Sequence, residues 1–159
     1  QRVARVQTLG ASGEEARALG AARAARHAPR TYNNLEKTRE FYTKVLDCKE
    51  GRSSDKWIDF DMYGHQVVAH LVDELQIVQT NSVDGDKVPS SHFGVILEMK
   101  EWHTLSTRLK NSETSFIIEP HIRFKGEAGE QATMFFLDPC GNALEFKAFK
   151  NDIMIFSKD

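Results

Sequence analysis

A chain of 159 residues with 40% hydrophobic content and a formal net charge of −2 can build one domain, or two small packed halves, around a real core. Its 21 basic and 23 acidic residues give no reason to propose a nucleic-acid partner. No apolar run approaches the roughly 18 residues of a membrane-spanning helix, and Cys48 and Cys140 match no zinc or redox spacing, which reads as two reduced thiols in an intracellular protein.

Residues 1–26 form an Ala/Arg-rich extension with weak apolar periodicity. It reads either as an organellar transit segment or as a helical or disordered tail of a cytoplasmic protein. Asn33 or Asn34 can then cap a helix whose apolar positions Leu35, Phe41, Tyr42, Val45 and Leu46 follow helical spacing. A short strand is expected over Asp47–Arg52. In the next strand, Lys56–Met62, Ile58, Phe60 and Met62 alternate with Trp57, Asp59 and Asp61. Its partner, Gln66–Val72, carries His70, and a polar linker over 74–90 follows. Beyond it come a strand at Ser91–Leu97, a helix near 101–110 and a strand at Ser115–Glu119. The stretch His121–Glu130 reads as a loop, either a lid over a site or a solvated hairpin connection. Residues 151–159 are a short tail.

The most informative stretch is Met134–Phe146, where an apolar run meets an Asp138-Pro139-Cys140-Gly141 turn and an alternating run returns. Leu144, Phe146 and Ala148 share one face of the returning strand, and Ala143, Glu145 and Lys147 share the other. A carboxylate on such a strand needs a cation, a hydrogen-bond network or water. The same grammar occurs earlier, in Asp61-Met62-Tyr63-Gly64 followed by an alternating run, and each copy lies downstream of a helical segment. The chain therefore reads as two copies of strand–helix–three strands, about 27–73 and 91–149.

These paired modules, together with the ending Phe135-Phe136-Leu137-Asp138-Pro139-Cys140-Gly141-Asn142-Ala143-Leu144-Glu145-Phe146, resemble the vicinal oxygen chelate superfamily. That group includes glyoxalase I, fosfomycin-resistance proteins, bleomycin-binding proteins and extradiol dioxygenases. Thr38–Leu46 is similar to the first helix of glyoxalase-type members. The resemblance implies an α+β fold of paired βαβββ modules forming an incompletely closed eight-stranded barrel, with helices outside. It also implies a divalent metal on the concave face, a small-molecule substrate and a homodimer.

In members of this group the ligands come from the first and last strands of each module. By that resemblance His92 and Glu145 are the ligands of the second module, with Glu145 also catalytic. His27 has the spacing to the first helix that a glyoxalase-type first-strand histidine has, although Pro29 and Arg30 interrupt the alternation expected of a central strand. Aligning Gly64 with Gly141 sets Val68 opposite Glu145, and His70, two residues on, shares its face and is the fourth candidate ligand. Imidazole and carboxylate donors of this kind accept Fe, Mn, Ni, Co or Zn. Trp57 and Phe135 would form an aromatic wall if they face the site and otherwise belong to the core, while His121 and Arg123 are candidates for touching substrate. His65 at its turn and His103 on its helix read as solvent-facing.

Three functions compete on this reading. A glyoxalase-like lyase or isomerase would remove a proton beside a carbonyl, with a metal holding the developing negative charge. An extradiol-type dioxygenase is disfavoured, since Phe135 stands where its pattern has tyrosine and no histidine lies between His121 and Glu145. A metal-free binding or sequestering protein is the third.

Overall fold

A computed structural model of the chain describes residues 28–74, 80–83, 86–127 and 129–156. The N-terminal extension and His27 lie outside them. The first module runs β1 (Ala28–Tyr32), α1 (Leu35–Glu40, continued by a wider π-type turn over Phe41–Val45), β2 (Lys49–Ser53), β3 (Trp57–Met62) and β4 (His65–Leu71). A short hairpin, β5 (Thr80–Val83) and β6 (Asp86–Pro89), leads into the second module. That module runs β7 (His92–Phe93), α2 (Met99–Asn111), β8 (Phe116–Arg123), β9 (Gln131–Leu137) and β10 (Ala143–Phe149). The two four-stranded sheets have orders β1-β4-β3-β2 and β7-β10-β9-β8, the same topology twice, and they do not close into a barrel. The fold is the expected pair of βαβββ modules.

Local chemistry explains most of these elements. The Asn34 side chain accepts from Lys37 N at 2.9 Å and starts α1. The helix ends where Asp47 takes a positive φ of 59°, so the following strand begins at Lys49 and not at Asp47. The two Asp-x-x-Gly turns occupy equivalent places, between the third and fourth strands of their modules. Asp61 Oδ1 accepts Gly64 N at 2.7 Å, while Asp138 Oδ1 accepts Cys140 N and Asn142 N at 2.9 Å each. Gly64 and Gly141 both adopt positive φ, 86° and 80°. Pro29 is accommodated because β1 is an edge strand, paired in parallel with β4 alone.

Four expectations need correction. The strand read over Ser91–Leu97 is broken: only His92 and Phe93 pair regularly, and contact with β10 resumes at Ile96. Gly94 stands at the break, so close to β10 that a Cβ on it would stand 1.6 Å from the Glu145 carbonyl oxygen. The 74–90 linker is not all coil, because it contains the β5–β6 hairpin. The stretch beginning at His121 is not all loop, because β8 runs on to Arg123 through register shifts that an edge strand carrying Pro120 tolerates. The second helix is longer than 101–110 at both ends.

One core spans both modules. Ile58, Phe60, Met62, Val67 and Ala69 from the first sheet pack with Met134, Phe136, Leu144, Phe146 and Ala148 from the second, and with Tyr42, Leu46, Trp102, Leu105 and Leu109 from the helices. Trp102 donates its indole N–H to the Phe146 carbonyl at 2.9 Å, which docks α2 on β10. Among the described residues no helix is long and apolar enough to cross a membrane.

A buried polar knot joins the modules. Asp138 Oδ2 accepts from Asn142 Nδ2 at 2.9 Å and from the Tyr42 hydroxyl at 3.3 Å, and the Tyr42 and Tyr32 hydroxyls are 2.8 Å apart. Asn142 Nδ2 also reaches the Thr31 carbonyl at 3.2 Å, tying the last hairpin to β1. Burial pushes the Asp138 carboxyl above its usual range, against the hydrogen bonds from Asn142, Cys140 and Tyr42, which pull it down. A raised value in the folded chain favours folding most below about pH 4, the ordinary Asp pKa, and that contribution is lost as pH rises through the raised value. The stability of the wild type relative to Asp138→Asn is therefore expected to fall as pH rises through that window. Chemical denaturation of both proteins at several pH values measures it, and a pH-independent difference would contradict the assignment.

Candidate metal centre

The alternation of β10 sends Leu144, Phe146 and Ala148 into the core and leaves Glu145 and Lys147 on the opposite, open face of the sheet. Cross-strand register completes that face. Glu145 lies opposite Phe135, and Lys147 opposite Thr133, on β9. On β8, His121 is in register with Thr133 and Arg123 with Gln131. His92 joins from β7, where it pairs with Ala143, two residues before Glu145.

His92 Nε2 and Glu145 Oε2 are 3.2 Å apart. The other ring nitrogen, Nδ1, lies 2.7 Å from the Pro89 carbonyl, which can only accept, so Nδ1 carries the proton. In the neutral ring this leaves the Nε2 lone pair aimed at a carboxylate oxygen. Two acceptors at hydrogen-bond distance require a proton or a cation between them. A backbone carbonyl that fixes the tautomer and leaves Nε2 as donor atom is the usual support of a metal-binding imidazole. Phe135 stands edge-to-face with the His92 ring, centroids 5.1 Å apart, and holds its plane.

The Glu145 carboxylate, 13% exposed, divides its oxygens. Oε1 accepts from the Thr133 hydroxyl at 3.2 Å and from Lys147 Nζ at 3.1 Å. Oε2 therefore carries the lone pairs left for a cation. One imidazole nitrogen and one carboxylate oxygen, each oriented by a neighbour, fit a divalent ion in chemistry. Among the described residues no group of three His, Cys, Asp or Glu side chains comes together. Of the residues expected as ligands, His92 and Glu145 come together, and His27 lies outside the described residues.

The other sequence candidates fall in different places. His70 is exposed on β4, in register with Trp57 and Thr31, and does not join His92 and Glu145 in a donor group. Trp57 is half-buried on the face of β3 opposite the core, with the Arg52 guanidinium 5.9 Å from its ring. Phe135 is buried on the open face of its sheet, against His92. His121 and Arg123 reach that face at its β8 edge, with His121 exposed and Arg123 half-buried. His103 is exposed on α2, His65 is half-buried beside its turn, and Cys48 and Cys140 are buried cysteines.

Three participants were not read from the sequence: Lys147, Thr133 and the Pro89 carbonyl. Lys147 had a signal, since period two places it on the face of Glu145. Thr133 and Pro89 depend on strand register and on the β5–β6 hairpin, which have no local signature.

Solved structures carry the same fold. A glyoxalase/bleomycin resistance protein/dioxygenase from Alicyclobacillus acidocaldarius shares 28% identity, with a TM-score of 0.69 over 84% of this chain and 97% of its own. A variant of the fosfomycin resistance protein FosX from Listeria monocytogenes, complexed with Mn(II) and 1S,2S-dihydroxypropylphosphonic acid, shares 20%, with a TM-score of 0.58 over 78% and 88%. Lactoylglutathione lyase from Agrobacterium tumefaciens shares 15%, with a TM-score of 0.56 over 79% and 93%. No curated protein sequence matches the chain. The Glyoxalase/Bleomycin resistance protein/Dioxygenase superfamily matches residues 25–146, well over half of the 159, and the chain belongs to that superfamily.

Proposed function

We propose that this protein is a metal-dependent, glyoxalase-like enzyme, acting as a homodimer on a small oxygenated organic substrate held through adjacent oxygens. The observation that carries the reading is the 3.2 Å approach of His92 Nε2 to Glu145 Oε2 with Nδ1 already committed to Pro89. His92 and Glu145 would hold the ion, and His27, which precedes β1 in sequence, is proposed as the third ligand. When bound, the ion would polarise the substrate oxygens and stabilise negative charge developing on them. The manganese complex of FosX and the lyase name of the Agrobacterium protein support a divalent ion and this class of reaction by analogy of fold.

The chain's own groups have defined parts in such a reaction. Thr133 and Lys147 hold Glu145 Oε1 and so orient the carboxylate, whose Oε2 would hold the ion and which, when not bound to it, would be the base for a proton on a carbon beside the substrate carbonyl. Pro89 and Phe135 keep the His92 ring in one tautomer and one plane. Phe135 also keeps water from one side of the carboxylate, since it lies directly opposite Glu145 and is itself buried.

One observation favours a second reading. Lys147 Nζ supplies a cation to Glu145 without any metal, which suits a metal-free binding protein. Titration of chelator-treated protein with Mn²⁺ or Zn²⁺ separates the two. A saturating ion at about 100 times its Kd is expected to stabilise the enzyme by about 2.7 kcal/mol, read as a rise in melting temperature, and His27→Ala is expected to reduce the rise. No binding and no rise with any of these ions would leave the binding-protein reading.

A further inference from the structure

The strands β1 and β7 belong to different sheets, and no ladder among the described residues joins them. A side chain crosses the seam instead: the Arg30 guanidinium carbon lies 4.3 Å from the centre of the Phe93 ring. Arg30 shares a face of β1 with the buried Tyr32. Phe93 packs against the core, while its neighbour His92 meets Glu145 on the open face. We propose that Arg30 is a positioning residue for the metal centre: from the first module, its guanidinium clamps the Phe93 ring and so fixes the β7 backbone that carries His92. This inference rests on the metal-site reading above and adds a residue of the first module to it.

The short β7 has need of such a support. Its regular pairing with β10 consists of His92 and Phe93, and contact resumes only at Ile96. A shift of β7 about β10 would carry His92 Nε2 away from Glu145 Oε2, 3.2 Å distant. The π face of Phe93 attracts the guanidinium electrostatically, so the contact holds by direction as well as by packing. The arrangement has a cost, because Arg30 Nε is buried without a hydrogen-bond partner. An unbranched apolar side chain could fill the same space without that cost. Stability alone therefore does not account for a guanidinium at this place.

Positioning and stability separate by the sign of two effects. In Arg30→Met the aliphatic stem stays, the unsatisfied N–H goes and the clamp is lost. The melting temperature of the chelator-treated protein is expected to stay equal or rise, while Mn²⁺ affinity by calorimetry falls about tenfold, the lower range for losing an outer supporting group. Arg30→Lys keeps a cation for the ring and should restore most of that affinity. Phe93→Leu should weaken Mn²⁺ binding as Arg30→Met does, with no further loss in the double variant. Should Arg30→Met fail to fold by circular dichroism, Arg30→Gln replaces it. Equal Mn²⁺ affinity in wild type and Arg30→Met overturns the clamp. So do an equal loss in Arg30→Lys, additive losses in the double variant, or a melting temperature that falls together with the affinity. If the wild type binds no Mn²⁺, the metal-site reading fails by itself. The clamp is then judged on the metal-free proteins by hydrogen exchange of two amides that bond across this side of β10, Lys147 N to the Val95 carbonyl at 3.2 Å and Leu97 N to the Lys147 carbonyl at 2.7 Å. Faster exchange there in Arg30→Met, with β9 amides unchanged, upholds the clamp, and equal exchange overturns it.

Discussion

Gly94→Ala is expected to be among the most damaging single substitutions in this protein. A methyl group there would stand 1.6 Å from the Glu145 carbonyl oxygen, 2.7 Å from its carbonyl carbon and 3.2 Å from its nitrogen. All three are backbone atoms of β10, so no side-chain rotation relieves the clash. Either β7 lifts away from β10 or β10 shifts, and β10 is held on its other side by β9 along seven residue pairs. The expected cost is about 3 kcal/mol or more, in the upper range for overpacking, which corresponds to a fall of about 10 °C in melting temperature for a chain of this length. Because the clash falls on the backbone of Glu145 and lies two residues from His92, metal affinity should fall as well. An unchanged denaturation midpoint in Gly94→Ala would show that the approach of β7 to β10 is looser than described.

The parts of the fold that were legible in the sequence share one cause. Period-two alternation in Ile58-Asp59-Phe60-Asp61-Met62 and in Leu144-Glu145-Phe146-Lys147-Ala148 is dictated by a sheet that buries one face, and the structure buries those apolar faces in a single core. The repeated Asp-x-x-Gly turn was legible because its carboxylate must reach nearby backbone N–H groups, as Asp61 and Asp138 do. What escaped was set by neighbours distant in sequence. Pro29 argues against a central strand, and only the sheet order, which puts β1 at an edge, removes the objection. The β5–β6 hairpin lies in a polar stretch without alternation, yet its last carbonyl, on Pro89, fixes the tautomer of His92. Gly94 within an apolar run is itself a sign of close backbone approach, but the partner that approaches lies 51 residues further on, at Glu145.

At the site, Glu145 was legible as a carboxylate on a half-buried strand that needs a partner, and His92 as a histidine on the first strand of the second module. Their meeting at 3.2 Å depends on β7 pairing in parallel with β10, which the repeat implies and no local motif encodes. His70 shares the face of Val68 and is exposed on β4, and among the described residues it does not come together with His92 and Glu145 as a group of three.

His92 and Glu145 are proposed to share one cation. Glu145→Gln keeps the size of the side chain and its hydrogen bond from Thr133, but removes the charge on which an ion at Oε2 depends. It also leaves His92 Nε2 facing a neutral amide. A loss of about 100-fold or more in metal affinity is expected, the upper range for losing even an outer supporting group. The direct measurement is the metal content of wild-type and Glu145→Gln proteins, purified side by side without chelators and assayed by elemental analysis. About one divalent ion per chain is expected in the wild type and almost none in the variant; equal metal content in the two would contradict a cation shared by His92 and Glu145.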